Sequence, residues 1–215
     1  MYTQIASINN ILHQFDLKAE KKERTRELLG ECLFYRAWYH YQLTHIFGRI
    51  PIIDNPDVDY LVPRPSYSMI YDFIEADLLK AVEFLPANFN TSRIPYETPN
   101  KGTVKALLGE VYLNWAGFPA KDESKYVLSA KITEELMDSS SWYGFELLPD
   151  FEDLWNKKSF YNNEAILCYY HDRNDKTTPY LYNGYLDGRP SISGNTIGID
   201  EKTSFRLFSN PIPEI

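Results

Sequence analysis

Apolar residues recur along the first half of the chain at intervals of three and four, the spacing that lays one stripe down an α-helix. Ile5, Ile8, Leu12 and Phe15 form such a stripe over residues 3–15 and leave Asn9, Asn10 and Gln14 on the other faces. Residues 23–47 hold the rhythm longest, through Leu28, Leu29, Cys32, Tyr35, Tyr39, Leu43, Ile46 and Phe47, or about seven turns. Gly48 and Pro51 supply the stop. The charged segment KAEKKER, residues 18–24, joins these two predicted helices as an antiparallel hairpin. A third helix runs from Tyr67 to Leu85 with Ser66 as its N-cap, and its stripe is Ile70, Phe73, Ile74, Asp77, Leu78, Ala81 and Leu85. Asn100 caps a fourth over residues 101–117, with Val104, Leu107, Leu108, Val111, Tyr112 and Trp115 inward. A fifth spans residues 123–138, with Tyr126, Ala130, Thr133, Leu136 and Met137 facing in.

The connections read differently. Residues 50–65 contain four prolines, and each fixes φ and removes a donor, so this is an ordered loop rather than a flexible linker. Its charges and aromatics, among them Asp54, Asp57, Asp59, Tyr60 and Arg64, follow no period. Residues 87–99 form a polar, proline-bearing loop. Residues 142–155 read as a short extended piece followed by a short acidic helix, and the run EAILCYY at 164–170 as a strand or buried extended segment. Residues 171–215, rich in Gly, Pro, Asn, Asp and Ser, read as long loops.

Helix pairs at 1–47 and 66–117, with a third beginning, give the organisation. Small residues recur where helices cross: Ala37, Ala106 with Gly109, then Ala130. The expected fold is all-α, with tetratricopeptide-like hairpins, long irregular loops and a minor extended or β element, and with no strict 34-residue period. The expected domain is a helical repeat over 1–147, continued by a loop-rich, incomplete stretch at 148–215. The first fifteen residues lack a basic start, an apolar core and a small-residue cleavage site, so they read as structure rather than an export leader. Both ends read as cuts through a longer design.

Composition narrows the function. With 22 Lys and Arg against 30 Asp and Glu the net charge is −8, the wrong sign for phosphate neutralisation, and nucleic acid is set aside. A hydrophobic share of 44% excludes a disordered chain. Seventeen tyrosines stand out. Tyrosine has a flat apolar face and a polar edge, which suits helix seams and also sugar rings. Cys32 and Cys168 sit in apolar runs and read as buried free thiols.

Catalytic readings are weak. Asp150, Glu152 and Asp153 suit an acidic helix start, and neither they nor Asp200 and Glu201 show the cross-cleft pairing that a glycosidase needs. His40 and His45 are five apart and cannot share a metal as an i, i+4 pair does; His13, His40, His45 and His171 read as solvated or core-edge groups. Asn55, Asp57 and Asp59 superficially suggest a calcium loop but lack its Gly and Glu. No cofactor is implied, and Ca²⁺ elsewhere has no support in the sequence.

Four segments carry a family resemblance. The string GECLFYRAWYHYQLTHIFGRIPII, through Glu31, Phe34, Arg36, Ala37, Tyr39 or Tyr41, Leu43, Phe47, Gly48 and Pro51, resembles the SusD/RagB family of Bacteroidetes outer-membrane lipoproteins. YDFIEADLLKAVEFLP matches at Ile74, Asp77, Leu78, Ala81, Leu85 and Pro86. KGTVKALLGEVYLNWAG and NNEAILCYY are similar to further family segments, in the family's order, over roughly residues 1–170. The resemblance implies a non-catalytic, surface-exposed protein of the outer membrane, although the chain carries neither export signal nor lipidated cysteine. Such a protein captures an oligosaccharide or another nutrient oligomer, in some branches a peptide, and hands it to a SusC-like TonB-dependent transporter. It directs attention to Asp54, Asn55, Tyr60 and Arg64 as ligand-binding residues, against the plainer reading that they cap helices and turn the chain. Arg36 and Asp77 read as structural, because a guanidinium within a helix seam needs an acceptor, from Glu31 or Asp77. A tetratricopeptide-like scaffold for a protein partner is the second reading, and a glycoside-processing enzyme the third.

Overall fold

The structure is a computed structural model that describes residues 1–15, 22–56, 61–88, 98–151, 153 and 162–167. Two compact units divide the chain, Met1–Glu146 and Leu147–Ile215. The first holds six helices among its described residues: α1 (Tyr2–Gln14), α2 (Glu23–Phe47), α3 (Tyr67–Phe84), α4 (Lys101–Ala116), α5 (Lys125–Asp138) and the single turn α6 (Ser140–Tyr143). From α1 to α5 each packs on the next in chain order, the neighbour-to-neighbour arrangement of a helical repeat.

Caps set where α3 and α4 begin. Ser66 Oγ accepts the Met69 N–H at 3.3 Å. Asn100 Oδ1 accepts the Thr103 N–H at 3.0 Å while the Asn100 N–H donates to Thr103 Oγ1, a reciprocal capping box. α2 ends where Gly48 turns to φ 72°, a conformation that disfavours side chains, as its N–H closes on the Thr44 carbonyl.

The core runs through the helix seams: Ile5, Leu29, Leu33, Ala37, Ile70, Ile74, Leu78, Val104, Leu108, Val111 and Trp115 are all buried. Tyrosines serve the seams with both of their ends. Tyr71 stacks on Trp115 with centroids 5.4 Å apart. The Tyr41 hydroxyl donates to Glu110 at 2.9 Å, and that of Tyr112 to Glu75 at 2.6 Å. Burial and the facing carboxylates push both phenols up.

Three helix faces differ from their sequence stripes. In α1 the buried set is Ile5, Asn9 and Leu12, whereas Ile8 is half-buried and Phe15 exposed. Asn9 lies three residues before Leu12 and four after Ile5, so it shares their face and is buried there with its amide satisfied. In α2 the buried face includes Gly30, Ala37, His40 and Thr44, while Leu28, Ile46 and Phe47 are exposed. This helix packs on α1 and on α3, and no single apolar stripe describes a helix held from two sides.

In α5 the stripe turns outward. Tyr126, Ala130, Thr133 and Met137 are exposed, and Ser129 is the buried residue of the helix. Ser129, not Ala130, marks the crossing with α4: its Oγ donates to the Gly109 carbonyl at 2.8 Å. A Cβ on Gly109 would stand 2.9 Å from Thr133 Oγ1, so glycine is what lets the two backbones approach.

The predicted extended piece after α5 begins instead with α6, which takes Trp142 and Tyr143 into a helical turn. Among the described residues there is no strand. Residues 164–167 of the apolar run form turns and bends, and residues 168–170, with Cys168, lie outside the described set. Within the second unit the Asn162 side chain accepts the Glu164 and Ala165 N–H groups, and Glu164 Oε2 accepts the Leu148 N–H at 2.9 Å. Phe151 and Asp153 belong to a 3-10 turn closed by the Asp153 N–H on the Asp150 carbonyl, and Glu152 lies outside the described residues.

Candidate functional site: a clamped loop over a buried ion pair

The site is built on α1, α2 and α3. Arg36 on α2 points at Asp77 on α3, and both Nε and Nη2 donate to the Asp77 carboxylate at 2.7 Å. The planar fork meets the planar carboxylate in two parallel bonds, the strong form of an ion pair. Of the two acceptors the sequence offers, Asp77 takes this role; Glu31 stays half-buried on α2. The Arg36 guanidinium also lies over the Phe73 ring, 5.1 Å from its centroid. Burial lifts the Asp77 carboxyl above the usual range, and the guanidinium opposes that lift.

The third branch of Arg36, Nη1, donates to Asn9 Oδ1 at 2.9 Å. That fixes the Asn9 amide with its Nδ2 facing the loop after α2. Nδ2 donates to the Ile53 carbonyl at 3.0 Å and to the Asn55 carbonyl at 3.1 Å. His40 completes the clamp. Its Nδ1 lies 2.8 Å from the Arg36 carbonyl, which can only accept, so Nδ1 carries the proton. Nε2 is then a lone pair, and it accepts the Ile53 N–H at 3.3 Å. Burial lowers the His40 pKa to about 4, so the imidazole is neutral, as this bonding requires. His40 is fully buried, not solvated or at the core edge.

Asn9 and His40 therefore hold three backbone groups of residues 53–55. The side chains of Asp54 and Asn55 project from that fixed backbone into solvent, linked by an Asn55 Nδ2 bond to Asp54 Oδ1 of 3.3 Å. The Asp54 charge is felt at both His40 and Asp77. Arg64 is exposed near the start of α1, where its charge acts on the Tyr2 phenol. No hydrogen bond joins Arg64 to Asp54 or Asn55 among the described residues, and Tyr60 lies outside them. A carboxylate and an amide on a pinned backbone present donors and acceptors of set spacing, which suits a hydroxyl-rich ligand.

Stacked antiparallel helices with an elaborated, internally clamped connection make a helical-repeat module. Residues 1–113 match the SusD-like family, described as starch-binding and associating with the outer membrane, and the chain belongs to that family. A SusD-like protein P2 of Formosa agariphila is 27% identical over 161 residues, covering 72% of this chain and 29% of its own. A solved SusD superfamily protein from Parabacteroides distasonis is 33% identical with a TM-score of 0.60, covering 71% of this chain and 32% of its own. A laminarin-binding SusD-like protein is 27% identical with a TM-score of 0.65, covering 77% of this chain and 35% of its own. The chain thus spans about a third of the length of these relatives.

Proposed function

We propose that this chain contributes to non-catalytic glycan capture at the outer-membrane surface, with delivery of the oligosaccharide to a partner TonB-dependent transporter. Asp54, Asn55, Tyr60 and Arg64 of the first long loop are the proposed ligand contacts. The observation that carries this reading is the pinning of Ile53 and Asn55 from beneath by Asn9 and His40. A loop ordered before the ligand arrives loses little conformational freedom on binding. The laminarin-binding relative supports a sugar as the ligand class.

Affinity electrophoresis against laminarin, starch and xyloglucan tests the reading. At least one polysaccharide retards the wild-type chain, and Asp54→Ala with Asn55→Ala relieves the retardation. Unretarded migration through all three would overturn it. Reducing-sugar release stays at background throughout.

A further inference from the structure

A second tyrosine-bearing feature is built from residues outside the loop. Thr3, Gln4, Ser7 and Ile8 on α1 and Tyr35 and Tyr39 on α2 line an open groove of about 290 Å³. That is the small end of the range for small-ligand clefts, roughly 300–1,000 Å³. Tyr35 and Tyr39 stand one helical turn apart and are half-buried, so both rings reach the groove. Behind them the helix is packed: the Tyr35 ring meets the buried Phe34 edge-on at 5.2 Å, and Ala37 is sealed in the core. Across the groove Ile8 is apolar, while Thr3, Gln4 and Ser7 offer hydroxyls and an amide. The Ser7 hydroxyl donates to the Thr3 carbonyl at 3.1 Å, which leaves its oxygen able to accept.

The lining holds no charged side chain. That argues against an anionic ligand or a charged peptide, each of which needs a counter-charge. Two tyrosines, each with an apolar ring and a polar hydroxyl, together with neutral donors and acceptors suit a ring with C–H faces and hydroxyl edges. We propose that the α1–α2 groove is a second, weaker carbohydrate site for a neutral pyranose, separate from the loop that carries Asp54 and Asn55. It rests on the glycan-binding reading for its ligand class only, because its residues are not those of the loop.

The test is a titration of the whole 215-residue chain, labelled with ¹³C in its tyrosine rings, followed by NMR. The probes are maltose, laminaribiose, cellobiose and mannobiose at up to tens of millimolar. Tyr35→Phe and Tyr39→Phe assign the two rings without emptying the groove. The expected result is saturable movement of the Tyr35 and Tyr39 signals with at least one disaccharide. That movement persists in Asp54→Ala with Asn55→Ala and weakens at least fivefold in Gln4→Ala with Ser7→Ala. The proposal falls if neither ring responds to any of the four sugars, or if the response vanishes with the loop variant. The two readings separate cleanly: polysaccharide retardation with silent tyrosine rings removes this groove and leaves the loop, whereas moving rings without retardation remove the loop and leave the groove.

Discussion

The α2–α3 seam and the α4–α5 seam solve the same packing problem by opposite means. Between α4 and α5 the backbones approach at Gly109 and Ser129, where the Ser129 hydroxyl donates to the Gly109 carbonyl, and a more exposed Lys105–Glu135 pair lies further along the seam. Between α2 and α3 sits a doubly bonded ion pair, continued by an asparagine from α1 and a histidine that together hold residues 53–55. A crossing of small residues sets a distance and nothing else. A buried polar network sets a register and also exports it to the loop outside. Its constituents cost more to bury than apolar ones of equal volume, and the return is a held backbone at residues 53–55.

The comparison breaks most sharply at Asp77. Replacing it with Ala strands the Arg36 charge in the seam and is expected to lower stability by about 3–5 kcal/mol in urea unfolding. The paired change Arg36→Met with Asp77→Leu restores most of that stability, since well-packed apolar residues can replace a buried ion pair at little cost. It leaves Asn9 without the guanidinium branch that orients its amide, so polysaccharide retardation returns less fully than stability does. If the paired variant binds like wild type, the network has no role beyond packing.

Acid attacks the same seam through His40. The folded His40 pKa of about 4 lies below the ordinary 6.5, so the unfolded chain takes up the proton first. Stability is complete above pH 6.5 and falls as the pH drops toward 4, by about 3 kcal/mol in all. The Arg36 charge pushes the ring further down and the Asp54 charge pulls it back up, both weaker than the effect of burial. His40→Gln should flatten this part of the pH–stability curve, and an unchanged slope would exclude His40 as its source.

Asn9→Ala removes the amide that serves two carbonyls and one guanidinium branch, with a loss of about 2 kcal/mol. Its effect on glycan retardation exceeds its effect on stability. At the other seam, Gly109→Val presses a branched side chain on Thr133 and costs about 1–3 kcal/mol. Affinity per folded molecule stays at the wild-type value there, measured by calorimetry below the unfolding transition. A loss of affinity at Gly109 would erase the distinction between the seams.

Much of the helical frame was legible because it obeys local rules. Ser66 and Asn100 cap α3 and α4 through their own side chains, and the apolar stripe of α3 is the face that the structure buries. The faces of α1, α2 and α5 escaped for a shared reason: apolarity says where burial is cheap, not where a satisfied polar group sits. Asn9 is polar, yet it lies on the face of Ile5 and Leu12, and that spacing was the available signal. His40 gave less notice, since its partner is a backbone N–H thirteen residues on, fixed only by the fold. Asp54 and Asn55 were visible as loop residues without a period, but their support from beneath is a long-range contact that no local pattern carries.

Amide hydrogen exchange at Ile53 examines the clamp most directly, because its N–H points at His40 Nε2. In wild type the Ile53 amide exchanges slowly, near the rate of the α3 core around Leu78. In Asn9→Ala it speeds up at least tenfold while Leu78 keeps its protection. Equal protection of Ile53 in the two proteins, or fast exchange already in wild type, would contradict a loop held in place by the buried network.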